Sequence, residues 1–255
     1  MLIDAHCHPF DFFSITKEKL EAPPNKEVLF ASSAWNLEQF LFNKENGVDA
    51  VHAFAVHPQL PTVNPSLVRD SLETLYGLAS SKKKLQAVGE TGFDLFNEKL
   101  RSTEKLQTEL FIAHVELAIA KSLPLILHVR KAMHKIFVYS KILKKTPAVV
   151  FHSYSGTAAD GESLCRRGVN AYFSFGSSIL LNHKTAVQAC ALLPLEHLLT
   201  ETDAPYQPFR RDFSDWKDLS MILQKVLRLR GEKIDISGLE ERISENFRNV
   251  YVKFT

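Results

Sequence analysis

Short apolar runs of strand length alternate along this chain with longer stretches whose apolar residues recur at helical spacing. The runs are Met1–His8, Glu27–Ser33, Asp49–Val56, Leu85–Gly89, Leu125–His128, Ala148–His152, Asn170–Phe175 and His197–Thr202. Short, nearly continuous apolar segments of this kind suit strands buried on both faces. Between them, Leu37, Phe40 and Leu41 mark a helix over Asn36–Glu45, and Asn64-Pro65 opens another carrying Leu67, Leu72, Leu75 and Leu78. A long helix over Ser102–Ser122 shows Leu106, Leu110, Ala113, Leu117 and Ala120 on one side. Further helices are expected over Met133–Lys144, Ala159–Arg167, Lys184–Leu193, Asp215–Arg230 and Ser237–Val252, with Val250–Phe254 closing the chain and Lys17–Pro24 as a polar connection. Eight strands alternating with helices predict a parallel sheet closed as a (β/α)8 barrel. An open, doubly wound sheet is the other arrangement this alternation allows. No linker rich in Gly, Ser or Pro divides the chain, so residues 1–255 read as a single domain.

Polar residues become informative where they interrupt this pattern. In the first strand a period of two puts Asp4, His6 and His8 on one face and Ala5 and Cys7 on the other. His57, Glu90, His128, His152 and Asp203 each follow an apolar run that needs no polar side chain. In a barrel the strand ends share one rim, where catalytic groups gather. Any one of these histidines alone reads as a hydrogen-bonded core or surface group. Together, four imidazoles and two carboxylates on one rim point to a metal site, with His57 nearby. Imidazole and carboxylate suit Zn²⁺, Mn²⁺ or Mg²⁺. Six ligands exceed what one catalytic zinc takes and match two metals about 3.5–4 Å apart, with a carboxylate as bridge. Glu90, from a middle strand, is the natural bridge.

Composition narrows the function classes. A formal charge of +2 gives no field that argues for nucleic acid on charge alone. The clusters Lys82-Lys83-Lys84, Lys141 with Lys144-Lys145, Arg166-Arg167 and Arg210-Arg211 read as local, solvated helix ends. Cys7, Cys165 and Cys190 lie far apart and show no zinc-knuckle spacing, which suits a reducing cytosol. With no secretory signal and no apolar run near the roughly 20 residues of a membrane span, a soluble, cytoplasmic protein is expected.

Four stretches carry a resemblance to a known family: Ile3-Asp4-Ala5-His6-Cys7-His8, Val88-Gly89-Glu90-Thr91-Gly92-Phe93-Asp94, Pro124 to Ala132, and Leu199-Thr200-Glu201-Thr202-Asp203-Ala204-Pro205-Tyr206. Phe151-His152-Ser153-Tyr154-Ser155-Gly156 is a fifth, looser one. In this order they resemble the TatD family of metal-dependent deoxyribonucleases, within the amidohydrolase-like barrels. The resemblance implies one metal on His6, His8, Glu90 and Asp203, and a second on Glu90, His128 and His152. It implies exonucleolytic hydrolysis of phosphodiester bonds in DNA, from a 3′ end or in short or single-stranded pieces, with water activated at the two-metal site. Asp203 is then placed to accept a proton as well as to ligate. Arg130 is placed to contact a phosphate or to make a helix-start salt bridge, and His57 to contact substrate. Asp4 and Asp94 read as groups that orient the ligands.

The chain also departs from the family pattern. Pro9-Phe10 stand where an apolar residue and an acid are usual, and Ala55-Val56-His57-Pro58-Gln59 lacks the Gly and the second His of a Gly-x-His-Pro-His stretch. His134 stands where the arginine motif usually reaches an acid, and Arg210-Arg211-Asp212-Phe213-Ser214 replaces an Asn-Glu-Pro segment. These differences spare the six ligands and fall where substrate would be gripped. Hydrolysis of an amide or ester bond by a similar barrel is therefore a second reading, and a non-catalytic barrel that binds a partner or nucleic acid is a third.

Overall fold

The computed structural model describes residues 1–47, 50–81, 85–231 and 234–251. The expected start of the third strand at Asp49, the Lys82–Lys84 run and the chain beyond Tyr251 lie outside the described residues. Eight strands form one parallel sheet in sequential order: β1 (Leu2–Cys7), β2 (Val28–Ala34), β3 (Val51–Phe54), β4 (Ala87–Asp94), β5 (Leu125–Arg130), β6 (Val149–Phe151), β7 (Ala171–Phe175) and β8 (Leu198–Thr200). β8 returns beside β1 and nearly closes the barrel. The Thr200 hydroxyl donates to the Ile3 carbonyl at 2.7 Å, and the Asp203 amide to the His6 carbonyl at 3.0 Å. Asp4 strengthens this seam by accepting from the Thr202 amide at 2.9 Å and its hydroxyl at 2.6 Å. The fold is therefore a (β/α)8 barrel and not an open sheet.

Phe54, Phe93, Phe111, Phe151, Phe173 and Phe175 are fully buried among the strands and the helices around them. Both faces of each strand are thus covered, as parallel strands require. Three local features differ from expectation. β4 does not stop at Gly89; its ladder with β5 slips between Val88 and Thr91 and resumes to Asp94. Gly92, opposite His128 in that ladder, has φ +134°, and a Cβ there would collide with the His128 carbonyl. β3 ends at Phe54, so His57 stands three residues beyond it, on the following turn. The third is an unforeseen helix, α1 (Pro9–Thr16), which starts directly after His8 with Pro9 in its first turn.

Candidate metal centre

His6 is fully buried inside the barrel, and His8 caps the start of α1 at its rim. Their Nε2 atoms lie 3.1 Å apart. Asp203 brings Oδ1 to 3.6 Å from His6 Nε2 and 3.4 Å from His8 Nε2. Its φ of 55° is a left-handed conformation that aspartate tolerates. Glu90 then completes two groups with its two oxygens. Oε2 lies 3.2 Å from His6 Nε2 and 3.7 Å from His8 Nε2. Oε1 lies 2.7 Å from His152 Nε2, 2.6 Å from His128 Nδ1 and 3.2 Å from His57 Nε2. All six residues expected as ligands, and His57 with them, therefore converge around one carboxylate.

Several of these groups are supported from behind. Asp94 Oδ2 lies 3.1 Å from His128 Nε2 and accepts from the Gln59 side chain at 2.7 Å. Ser33 Oγ lies 3.3 Å from His6 Nδ1, and Gln207 donates to Asp203 Oδ2 at 2.6 Å. Asp4 acts on the backbone instead, accepting from the His6 amide at 3.3 Å. Glu201 accepts from the Ser153 amide at 2.6 Å and brings the same oxygen to 3.7 Å from His152 Nδ1. The centre opens into a cleft of about 760 Å³ that Arg130, Trp35, Tyr206 and Gln59 also line. The Arg130 guanidinium lies flat over Phe96, 3.7 Å from the ring centroid. Among the described residues no carboxylate is within ion-pair distance of Arg130, so the helix-start salt bridge does not form.

A family model described as TatD related DNase matches residues 3–252. The chain belongs to that family. A 3'-5' ssDNA/RNA exonuclease TatD of Pantoea ananatis is 34% identical over 199 residues, 71% of each chain. An uncharacterised metal-dependent hydrolase of Methanocaldococcus jannaschii is 26% identical over 96% of this chain and 94% of its own length. The crystal structure of YjjV, a TatD homologue from Escherichia coli, superposes with a TM-score of 0.79 at 23% identity, covering 98% of both chains. As a TatD-family protein, the chain is a metal-dependent hydrolase by kinship.

The electrostatics of this TatD-family site agree with a cation centre. Burial alone would raise the Glu90 carboxyl, yet His152, His57 and His6 around it hold it well below the ordinary carboxylate range. Burial likewise opposes charge on His152, but Glu90 and Glu201 lift it well above the usual imidazole value. Asp94, despite burial, is held at about 2 by hydrogen bonds from His128 and Gln59. The groups His6–His8–Asp203, His6–Glu90–His152 and His57–Glu90–His128 can each hold a metal ion. The groups that converge on Glu90 are imidazoles and carboxylates, and Cys7 points away from them, toward the Ala31 carbonyl. That donor set fits Zn²⁺, Mn²⁺ or Mg²⁺ better than a soft metal. Ser33, Gln59, Glu201 and Gln207 escaped the sequence reading. Glu201 lies inside the quoted Glu-Thr-Asp motif, and Gln59 was visible only as a departure from the family pattern.

Proposed function

We propose that the protein, acting as one domain, removes nucleotides from the 3′ end of short or single-stranded DNA by hydrolysing phosphodiester bonds. His6, His8, Asp203 and Glu90 Oε2 would hold one divalent ion, and His128, His152 and Glu90 Oε1 a second. When bound, such ions lower the pKa of a water molecule and neutralise charge on phosphate oxygens. The chain's own residues do the rest. Asp203, kept below the ordinary carboxylate range by its contact with His8 and by His152 and His6 in spite of burial, is ionised at neutral pH and can accept a proton. Arg130, held over Phe96 and with no carboxylate partner among the described residues, offers its planar fork to a phosphate. His57 has the most exposed side chain of the five imidazoles, at 21%, and stands on the substrate side. The three free cysteines suit a reducing compartment such as the cytoplasm.

One observation carries this reading: the two oxygens of Glu90 face two different sets of ligand atoms. The exonuclease name borne by the Pantoea relative supports the choice of substrate. The departures at Pro9-Phe10 and Gln59 keep amide or ester hydrolysis as the second reading. A labelled single-stranded oligonucleotide and an amide substrate, each assayed after chelation and after adding back Mg²⁺ or Mn²⁺, decide between them. Chelation should abolish oligonucleotide cleavage, and either metal should restore it. Full cleavage by protein that elemental analysis shows to be metal-free would overturn the mechanism. Turnover of the amide with the oligonucleotide untouched would favour the second reading.

A further inference from the structure

Trp35 lies between β2 and the helix α2 (Leu37–Asn46), at the mouth of the cleft. Its ring packs beside Val56, Leu60 and Leu110, which anchors it. Its indole N–H makes no hydrogen bond among the described residues, while its backbone N–H donates to Gln39 Oε1 at 3.0 Å. Gln39 is buried and passes the connection on, donating from Nε2 to Asp11 Oδ1 at 3.0 Å. The other Asp11 oxygen accepts from the Tyr206 hydroxyl at 3.1 Å. Tyr206, 46% exposed, also lines the cleft and stands edge-on to His8 at 5.3 Å between ring centroids. A single carboxylate thus links the Tyr206 hydroxyl, directly, to the Trp35 backbone, through Gln39, on segments that follow β8 and β2.

Two aromatic rings held at the mouth of a reactive cleft are pre-organised for a flat ligand, because little freedom is lost when it binds. The charge in the cleft points the same way. Among the described residues Arg130 is the one lysine or arginine lining it, too few to grip a polymer by its phosphates. Stacking of bases on aromatic rings supplies affinity without cations and tolerates any base. We propose that Trp35 and Tyr206 form a nucleobase subsite, with Asp11 and Gln39 as the residues that position it. The proposal rests on the nuclease reading and adds where a base of the substrate sits. The unpaired indole N–H offers an added donor to an acceptor on the base edge. Asp11 follows Pro9-Phe10 directly, one position beyond the place where the family pattern usually has an acid.

The test compares binding of deoxyadenosine monophosphate and of deoxyribose phosphate, which lacks the base, to the metal-loaded protein by calorimetry. The base should strengthen binding about tenfold or more. Trp35→Leu keeps apolar bulk against Val56 and Leu60 but removes the aromatic face. It should reduce binding of deoxyadenosine monophosphate to the level of deoxyribose phosphate and leave the latter unchanged. Trp35→Phe should retain most of the difference. Wild-type affinity for deoxyadenosine monophosphate in Trp35→Leu would overturn the subsite, as would equal or absent binding of both ligands to the wild type. Oligonucleotide cleavage by the same preparation reports separately on the nuclease reading.

Discussion

Glu90 is the residue on which the proposed chemistry turns, because its oxygens face His6 and His8 on one side and His57, His128 and His152 on the other. A neutral amide in its place keeps the shape, but it turns one oxygen into a donor and removes the charge that would hold two cations close together. Glu90→Gln should therefore lower the metal content measured by elemental analysis and cut turnover by about 10²–10³-fold or more, with the melting temperature little changed. Wild-type turnover with the full metal content would remove Glu90 from the bridge. The convergence of these side chains was legible at this scale because charged or imidazole groups ended runs that were otherwise apolar. Their partners were not. Ser33, Gln59 and Gln207 are short or uncharged, carry no periodic signal, and matter only through neighbours distant in sequence. Arg130 lines the cleft, and no feature of the sequence indicated its place over Phe96.

Elements were legible in number and order, less so in their edges and faces. The helix Glu104–Lys121 shows why. Its expected stripe included Leu110 and Leu117, which are buried, but also Leu106, which is exposed; the buried face is Gln107, Leu110, Phe111, His114, Val115, Leu117 and Ala118. Two polar residues sit on that face because each satisfies a buried backbone amide: Gln107 accepts from the Asp94 amide at the end of β4 at 2.9 Å, and His114 Nε2 accepts from the Val56 amide just beyond β3 at 2.9 Å. α1 was missed because Pro-Phe-Asp-Phe-Phe-Ser-Ile-Thr shows no contrast between an apolar and a polar side. His114 also makes the barrel sensitive to acid. Burial lowers its pKa from the ordinary 6.5 to about 4, so it stays neutral in the fold while the unfolded chain takes up a proton. Between those values the unfolded state binds more protons, and stability falls as pH drops from 6.5 towards 4. At about 1.4 kcal/mol per pH unit, going from pH 7 to pH 5 should cost about 2 kcal/mol through this group. Urea unfolding at both pH values should show the wild type losing that much more stability than His114→Gln, which cannot titrate. Equal losses in the two proteins would mean that His114 gains its proton equally in both states.

At the scale of the whole molecule, eightfold alternation of strand and helix was enough to foresee the barrel, since parallel strands need a helical crossover each time. The cleft was harder to foresee, because its walls come from loops after β2, β3, β5, β6 and β8 whose lengths and turns carry no period. Those walls set how the molecule meets a polyanion. The net charge is +2, and among the described residues Arg130 is the single lysine or arginine in the lining, so on the proposed function the chain itself would neutralise about one phosphate there. For single strands the logarithm of affinity falls with the logarithm of salt by about 0.7 for each phosphate neutralised. Raising monovalent salt from about 50 to about 200 mM at saturating Mg²⁺ should then raise the KM for an oligonucleotide only about two- to threefold. Arg130→Ala should weaken binding at low salt and flatten this dependence, because its charge is the one being screened. A rise in KM of about a hundredfold over the same range would place phosphate contacts well beyond the cleft, and long strands would then be gripped by the outer surface of the barrel rather than by their ends.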